Sequence, residues 1–201
     1  MFTGIVRKLS EVEKVFYKKD SLFIHIKKPG GWKMKKGESI SVNGVCSTVK
    51  KTARRIFEVE YMPETIKKTT AGNFQKGTEV NLEKSLRMND LLDGHIVQGH
   101  VDTRGKIIGI QKDKESKVVK IKVPEKFMKL IADKGSVAVD GISLTVVETG
   151  KNWFTVSLVS YTLENTNLGK IKASEEVNIE IDVLAKYLNK LIMQSGYAKE
   201  K

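Results

Sequence analysis

The chain has 201 residues, 40% of them apolar and 30% charged, the composition of an ordinary globular protein with one large domain or two small ones. Its single cysteine, Cys46, excludes an intramolecular disulfide; no apolar h-region follows Met1 and no apolar run approaches the roughly 20 residues that span a bilayer, so a cytoplasmic protein is expected and a membrane one is not. The net charge of +12 comes from lysines spread along the whole chain, with five arginines and 7% aromatics, which reads as a Lys-coated solvated surface rather than a nucleic-acid face built from Arg forks and stacking rings.

In chain order, apolar and polar residues alternate at period two in "LFIHIKK" (22–28), "ESISVNG" (38–44), "STVKKTA" (47–53), "IFEVEYM" (56–62) and "TEVNLEK" (78–84), the pattern of half-buried strands. The same alternation returns in "VVKIKVP" (118–124), "SVAVDG" (136–141), "SLTVVET" (143–149), "WFTVSLV" (153–159) and "EEVNIEI" (175–181). Asn43-Gly44 and Asp140-Gly141 suit turns that need positive φ. Between them, "PEKFMKLIA" (124–132) reads as one short helix. The tail places Leu184, Tyr187, Leu188, Leu191 and Ile192 at helical spacing, an amphipathic helix that docks on its own barrel or on other subunits.

A shift of 97 residues lays the second series on the first. Val42, Gly44, Thr48 and Val49 fall on Val139, Gly141, Thr145 and Val146, and Val80, Asn81 and Glu83 fall on Val177, Asn178 and Glu180. "MFTGIV" (1–6) pairs with "IVQGHV" (96–101) at a slightly shorter offset. The chain is therefore two copies of one all-β domain of short strands, each suited to a small closed barrel that leaves no sheet edge. The expected divisions are 1–96, 97–183 and a C-terminal helix and tail at 184–201.

The copies differ where chemistry can hide. Asn43 matches Asp140, Cys46 matches Ser143, and Ile5 faces His100 in the pairing. Taken singly, Cys46 suits a small buried hydrophobe and Thr48 and Thr145 suit ordinary strands. His95 and His100 lack the Cys or carboxylate companions of a metal site, and no Gly-rich phosphate loop is present. Ser143, His100 and Asp140 make a triad only on paper, without an oxyanion motif. The residues alone stop at a duplicated binding protein with two related but unequal sites.

Together, "MFTGIV", "SVNGVCSTV" (41–49), "GHIVQGHVD" (94–102), "VDGISLTV" (139–146), "YTLENTNLG" (161–169) and "VNIEID" (177–182) resemble, in order, the riboflavin synthase family of the lumazine-binding, two-barrel type. The resemblance covers residues 1 to about 182. It implies two six-stranded Greek-key barrels in tandem, joined as a homotrimer by C-terminal helices, with sites between the N-barrel of one subunit and the C-barrel of its neighbour. It also implies disproportionation of two 6,7-dimethyl-8-ribityllumazine molecules to riboflavin and a 5-amino-6-ribitylaminouracil, with no metal or organic cofactor. Association with lumazine synthase is left open. The competing reading is a non-catalytic lumazine- or flavin-binding antenna protein on the same fold.

Carried over residue by residue, the resemblance makes Cys46 the active-site cysteine and His100 the site histidine, and sets Asp140, Ser143 and Thr145 close to bound substrate. Gly4, Ile5, Val6, Cys46, Ser47, Thr48, Glu60, Tyr61, Met62, Pro63, Glu64 and Thr65 are expected to line the first pocket. Gly99, His100, Val101, Lys134, Ser143, Leu144, Thr145, Ser157, Leu158, Val159, Ser160, Tyr161 and Thr162 are expected to line the second. Tyr161 replaces the acid of the family's "PET", and Ser47 a common Leu. His100 is the candidate base for the acidic C7 methyl group, with Cys46, Ser143 and Thr48 as positioners of a nucleophile or water.

Overall fold

Period-two alternation closes into two six-stranded antiparallel barrels in the computed structural model, which describes residues 1–195. The first contains β1 (Lys8–Lys18), β2 (Ser21–Lys27), β3 (Ser39–Val42), β4 (Val45–Thr52), β5 (Ile56–Tyr61) and β6 (Glu79–Lys84). The second contains β7 (Thr103–Asp113), β8 (Ser116–Lys122), β9 (Ser136–Val139), β10 (Ile142–Thr149), β11 (Trp153–Leu158) and β12 (Glu176–Ile181). The first has the ring order β1-β2-β5-β4-β3-β6, and the second repeats it as β7-β8-β11-β10-β9-β12. In both, three strands joined by hairpins are flanked by a strand that returns from further along the chain, a Greek key.

Each barrel is filled by the inward half of its alternating residues. Leu22, Ile24, Ile26, Ile40, Phe57 and Leu82 fill the first, and Ile107, Ile121, Phe154, Val156, Leu158 and Ile179 the second. Each such side chain contributes roughly 1.5–3 kcal/mol on burial, and ring closure removes the exposed edges that invite aggregation. Asn43-Gly44 and Asp140-Gly141 form the two-residue turns of the β3–β4 and β9–β10 hairpins, all four residues at positive φ.

Some elements differ from the sequence expectation. β1 and β7 escape the alternation test because few of their positions are buried, Val12 alone in β1 and Gly105 and Ile107 in β7. A register shift also interrupts each, between Val12 and Lys14 and between Ile107 and Gly109. The segment expected as a short helix at 124–132 is a 3-10 turn over Glu125–Leu130. Short helices α1 (Pro63–Lys68) and α2 (Ser160–Asn165) follow the fifth strand of each barrel. Helix α3 (Val183–Gln194) starts one residue before the expected division, because the Asp182 side chain accepts the Leu184 N–H and caps it. The part of the expected tail at 196–201 lies outside the described residues. Among the described residues, no helix is long and apolar enough to cross a membrane.

Polar residues that obey the repeat join the barrels. Asn81 Nδ2 donates to Asp140 O (3.0 Å), and Asn178 Nδ2 donates to Asn43 O (2.8 Å). Within each barrel the Asn81 N–H donates to Asn43 Oδ1 (2.6 Å), and the Asn178 N–H to Asp140 Oδ1 (2.7 Å). The result is a seam with approximate two-fold symmetry. It also brings the short segments that lead into the barrels together, where Phe2 and Val97 pair in a β-bridge with both side chains buried.

Those leading segments exchange barrels. The Cys46 N–H in β4 donates to Gly99 O (2.8 Å), and the Ser143 N–H in β10 donates to Gly4 O (2.8 Å). Val6 packs on the core of the second barrel and Val101 on that of the first.

Candidate active site

On β4, Val45, Ser47 and Val49 point into the barrel and Cys46 and Thr48 point out. Outside Cys46, the exchanged segment and α1 close a cavity of about 280 Å³. Its wall is made by Cys46, Glu64, Thr65, Lys68, Thr69, Gly99, His100 and Val101, together with Val45. Helix α1 is started by Pro63 at its first turn and carries Glu64 and Lys68 one turn apart, 2.8 Å from each other. That pair holds the Glu64 carboxyl below its ordinary range and the Lys68 ammonium above it. The Thr69 hydroxyl donates to Thr65 O (2.7 Å), fixing the end of the helix beside the pocket. An exposed thiol, an imidazole, two hydroxyls and an ion pair thus surround one concave, water-accessible space. Such a set can bind a planar polar heterocycle and move a proton at its edge.

The equivalent place in the second barrel is built differently. Ser143 and Thr145 point out of β10 as Cys46 and Thr48 do from β4, and Gly4 replaces Gly99 as the neighbour. The residues before the second leading segment then lie over Ser143. His95 Nδ1 is 2.7 Å from Ser143 Oγ, and the His95 N–H donates to Thr3 O (3.1 Å). Burial pushes the His95 pKa down, against a smaller opposing pull from Asp182, and its Nε2 is buried with no partner among the described residues. In α2 the Glu64–Lys68 pair is replaced by Tyr161 and Asn165, whose side-chain amide donates to Tyr161 O (2.8 Å). The Thr166 hydroxyl repeats the Thr69 bond by donating to Thr162 O (2.7 Å).

Three comparisons bear on what these paired sites are. A family model described as the lumazine binding domain matches residues 3–85 and again 98–182. Riboflavin synthase of Mycobacterium tuberculosis is 39% identical over 205 residues, covering 98% of this chain and 100% of the relative. Riboflavin synthase of Actinobacillus pleuropneumoniae is 36% identical over 195 residues, covering 96% and 91%. That of Bacillus subtilis is 32% identical over 200 residues, covering 99% and 93%. The chain belongs to the riboflavin synthase family. It is an enzyme of that family, built on two lumazine-binding domains. Its fold is shared with LumP solved with riboflavin, at a TM-score of 0.84, 23% identity and coverage of 90% of this chain and 99% of that one. LumP with 6,7-dimethyl-8-(1'-D-ribityl) lumazine superposes at 0.81, with 23% identity and coverage of 90% and 98%.

Set against this family's expected site, the structure brings Cys46, Glu64, Thr65, Gly99, His100 and Val101 together. The division between pockets is corrected. Gly4, Ile5 and Val6, expected beside Cys46, belong with Ser143, and Gly99, His100 and Val101, expected beside Ser143, belong with Cys46. The exchange of leading segments is the reason.

Ser47, Tyr61, Leu144 and Leu158 were expected as lining and point into the barrels instead. A run of consecutive strand residues cannot all face one side. Tyr61 Oη and Ser47 Oγ are 2.7 Å apart inside the first barrel, and burial drives the phenol pKa up. Glu60 pairs with Lys50 away from the cavity wall, and Met62 and Pro63 start α1 without entering it. Ser157, Val159, Ser160 and Tyr161 are exposed along β11 and α2, and Thr162 is partly covered. Lys134 is exposed in a turn, its N–H donating to Val146 O (2.9 Å).

Asp140 is corrected as well. It is buried in the seam, with Oδ1 accepting from the Asn178 N–H and Oδ2 accepting from Asn167 Nδ2, both at 2.7 Å. The paper triad is therefore not assembled. The histidine at Ser143 is His95, and the aspartate is engaged elsewhere. Sequence reasoning also missed Lys68, Thr69 and Thr3. The Glu64–Lys68 spacing in "PETIKK" was the available signal for Lys68. A cleft of about 660 Å³ opens on the seam and contains none of Cys46, His100 and Ser143.

Proposed function

We propose that the protein converts two molecules of 6,7-dimethyl-8-ribityllumazine into riboflavin and 5-amino-6-ribitylaminouracil, in the cytoplasm and with no metal or organic cofactor. One lumazine gives up the four-carbon unit that the other gains, so the pair needs no outside oxidant or reductant. The observation that carries the reading is a pair of unequal sites at equivalent places in two copies of one barrel, the Cys46 cavity in the first and the Ser143–His95 arrangement in the second. A reaction between two identical molecules needs two similar sites, and donor and acceptor need different handling.

Within this reading, His100 takes the proton from the C7 methyl group of the lumazine beside it, an imidazole being suited to proton transfer near neutral pH. Cys46 and Thr48 position the ring edge, and Ser143 with Thr145 does so in the second barrel, with His95 orienting the Ser143 hydroxyl. Holding two heterocycles in reactive register supplies much of the acceleration, an effect worth roughly 7–11 kcal/mol. The two pockets meet between subunits of a homotrimer. Its support is α3, which leaves Leu184, Tyr187, Leu188, Leu191, Ile192 and Met193 exposed.

The test is incubation of the purified protein with 6,7-dimethyl-8-ribityllumazine alone, following absorbance. Two lumazines consumed per riboflavin formed is the expected result. Tight binding without turnover would replace the synthase with an antenna protein.

A further inference from the structure

We propose that Glu83 and Glu180 are reciprocal positioning residues, each standing in one barrel and holding the segment that walls the substrate pocket of the other. The inference rests on reading these pockets as lumazine sites. In β6, Glu83 Oε1 accepts from the Thr3 N–H and the Thr3 hydroxyl, both at 2.7 Å, and Oε2 accepts from the Gly4 N–H at 3.0 Å. In β12, Glu180 Oε1 accepts from the Gln98 N–H at 2.6 Å and Oε2 from the Gly99 N–H at 2.8 Å. The carbonyls of the same glycines then accept the Ser143 and Cys46 N–H groups. Two chains of bonds result, Glu83 to Gly4 to Ser143 and Glu180 to Gly99 to Cys46.

Both carboxyls are almost fully buried, and neither forms an ion pair among the described residues. Burying a carboxylate is costly unless hydrogen bonds replace its water. Here every donor to it is in the exchanged segment. Burial raises both acids' pKa, and the donated N–H bonds oppose that rise. Joining the barrels does not require these acids, since Asn81 and Asn178, two residues earlier on the same strands, already bond across the seam. What the glutamates add is the place of Gly99, and hence of His100, relative to Cys46, and of Gly4 relative to Ser143. A shift of about 1 Å in such groups can cost on the order of 10²-fold in rate.

Cys46 is the sole cysteine and its thiol is exposed. Its alkylation by iodoacetamide, slowed by bound riboflavin, the product and so a ligand that is not consumed, therefore reads the first pocket without turnover. In Glu180→Gln the riboflavin concentration for half protection rises at least about tenfold, and in Glu83→Gln it stays within about twofold. With Cys46→Ser and Ser143→Cys combined, the thiol at position 143 reports the second pocket and the order of the two variants reverses. Thermal unfolding checks that each variant folds. Should the glutamines not fold, Thr3→Val removes one of three bonds to Glu83 without touching a charge and weakens protection at the second pocket alone. A carboxylate that only supported its own barrel would act on that barrel's pocket, so loss on the same side, or equal loss on both, overturns the proposal. Protection of wild-type Cys46 that persists in Glu180→Gln overturns the clamp and leaves the lumazine reading standing. No protection in the wild type overturns both.

Discussion

Cys46 and Ser143 stand at the same place in two copies of one barrel, yet their surroundings differ. Cys46 is open to water, beside His100 and the Glu64–Lys68 pair. Ser143 is half-covered and bonded to His95, and Tyr161 and Asn165 stand in α2 where α1 has the Glu64–Lys68 pair. The strands, the turns, the bulges and the Asn81/Asn178 seam are common to both. Duplication has kept what holds the barrels and changed what surrounds Cys46 and Ser143, and each of these two places borrows its leading segment from the other half. The comparison teaches that equivalence of fold need not be equivalence of role, and it can be broken at graded points.

The largest effect is expected where the halves are most alike. Gly44 and Gly141 face each other across the seam at φ of 78° and 76°, and a Cβ on either would lie 2.6 Å from the other's backbone nitrogen. Gly44→Ala and Gly141→Ala each add positive-φ strain and overpacking, roughly 2–5 kcal/mol together. That is a fall in Tm of about 5–15 °C, similar for the two. A Tm unchanged in either variant would show that the seam tolerates separation.

Next come the histidines, where the halves diverge. His100→Ala is expected to lower kcat by roughly 10²-fold, the low end for loss of a general acid–base group. Cys46→Ser, which makes the first site resemble the second, costs less than about tenfold, because positioning by a hydroxyl survives. Steady-state kinetics decides. A larger loss from Cys46→Ser than from His100→Ala would assign the chemistry to the thiol.

Much of this frame was legible in the residues. The offset of 97 paired Asn81 with Asn178 and Glu83 with Glu180 before any contact was visible, and alternation located ten of the twelve strands. β1 and β7 were lost because few of their residues are buried, which leaves no two-residue period to read. Ser47 and Tyr61 could have been turned inward by the same alternation, since Ser47 lies between Cys46 and Thr48 and Tyr61 continues the series Phe57 and Val59. The exchange of leading segments left no trace in pattern or offset, because a straight and a crossed arrangement have the same sequence periodicity. That is why the two pockets were given each other's walls. His95 was visible only as a histidine without a ligand set, and its bond to Ser143 depends on tertiary path alone.

A smaller asymmetry lies in the seam, where Asn43 in one half meets Asp140 in the other. Burial pushes the Asp140 carboxyl up from 3.8 to about 7. The folded chain thus binds this proton more tightly than the unfolded chain does. Its contribution to stability is fully present below the unfolded pKa and is lost as pH rises through about 7. Asp140→Asn restores the symmetry and flattens the fall in Tm between pH 5 and pH 8, as calorimetry at several pH values would show. Parallel curves for variant and wild type would contradict the raised acid.

The smallest effect is expected on the exposed helix. Glu64→Gln breaks the pair with Lys68 and raises KM by about two- to fivefold with kcat kept, as suits a solvent-exposed contact. A fall in kcat instead would move Glu64 from binding into the chemistry.

The most direct measurement is a crystal structure of the protein with riboflavin bound. The ring system is predicted to lie against Cys46, Thr65 and the 99–101 segment in one barrel, and against Ser143, Thr162 and the 4–6 segment in the other. Riboflavin found instead in the seam cleft of Asn43, Thr70 and Asp140 would contradict two unequal pockets walled by exchanged segments.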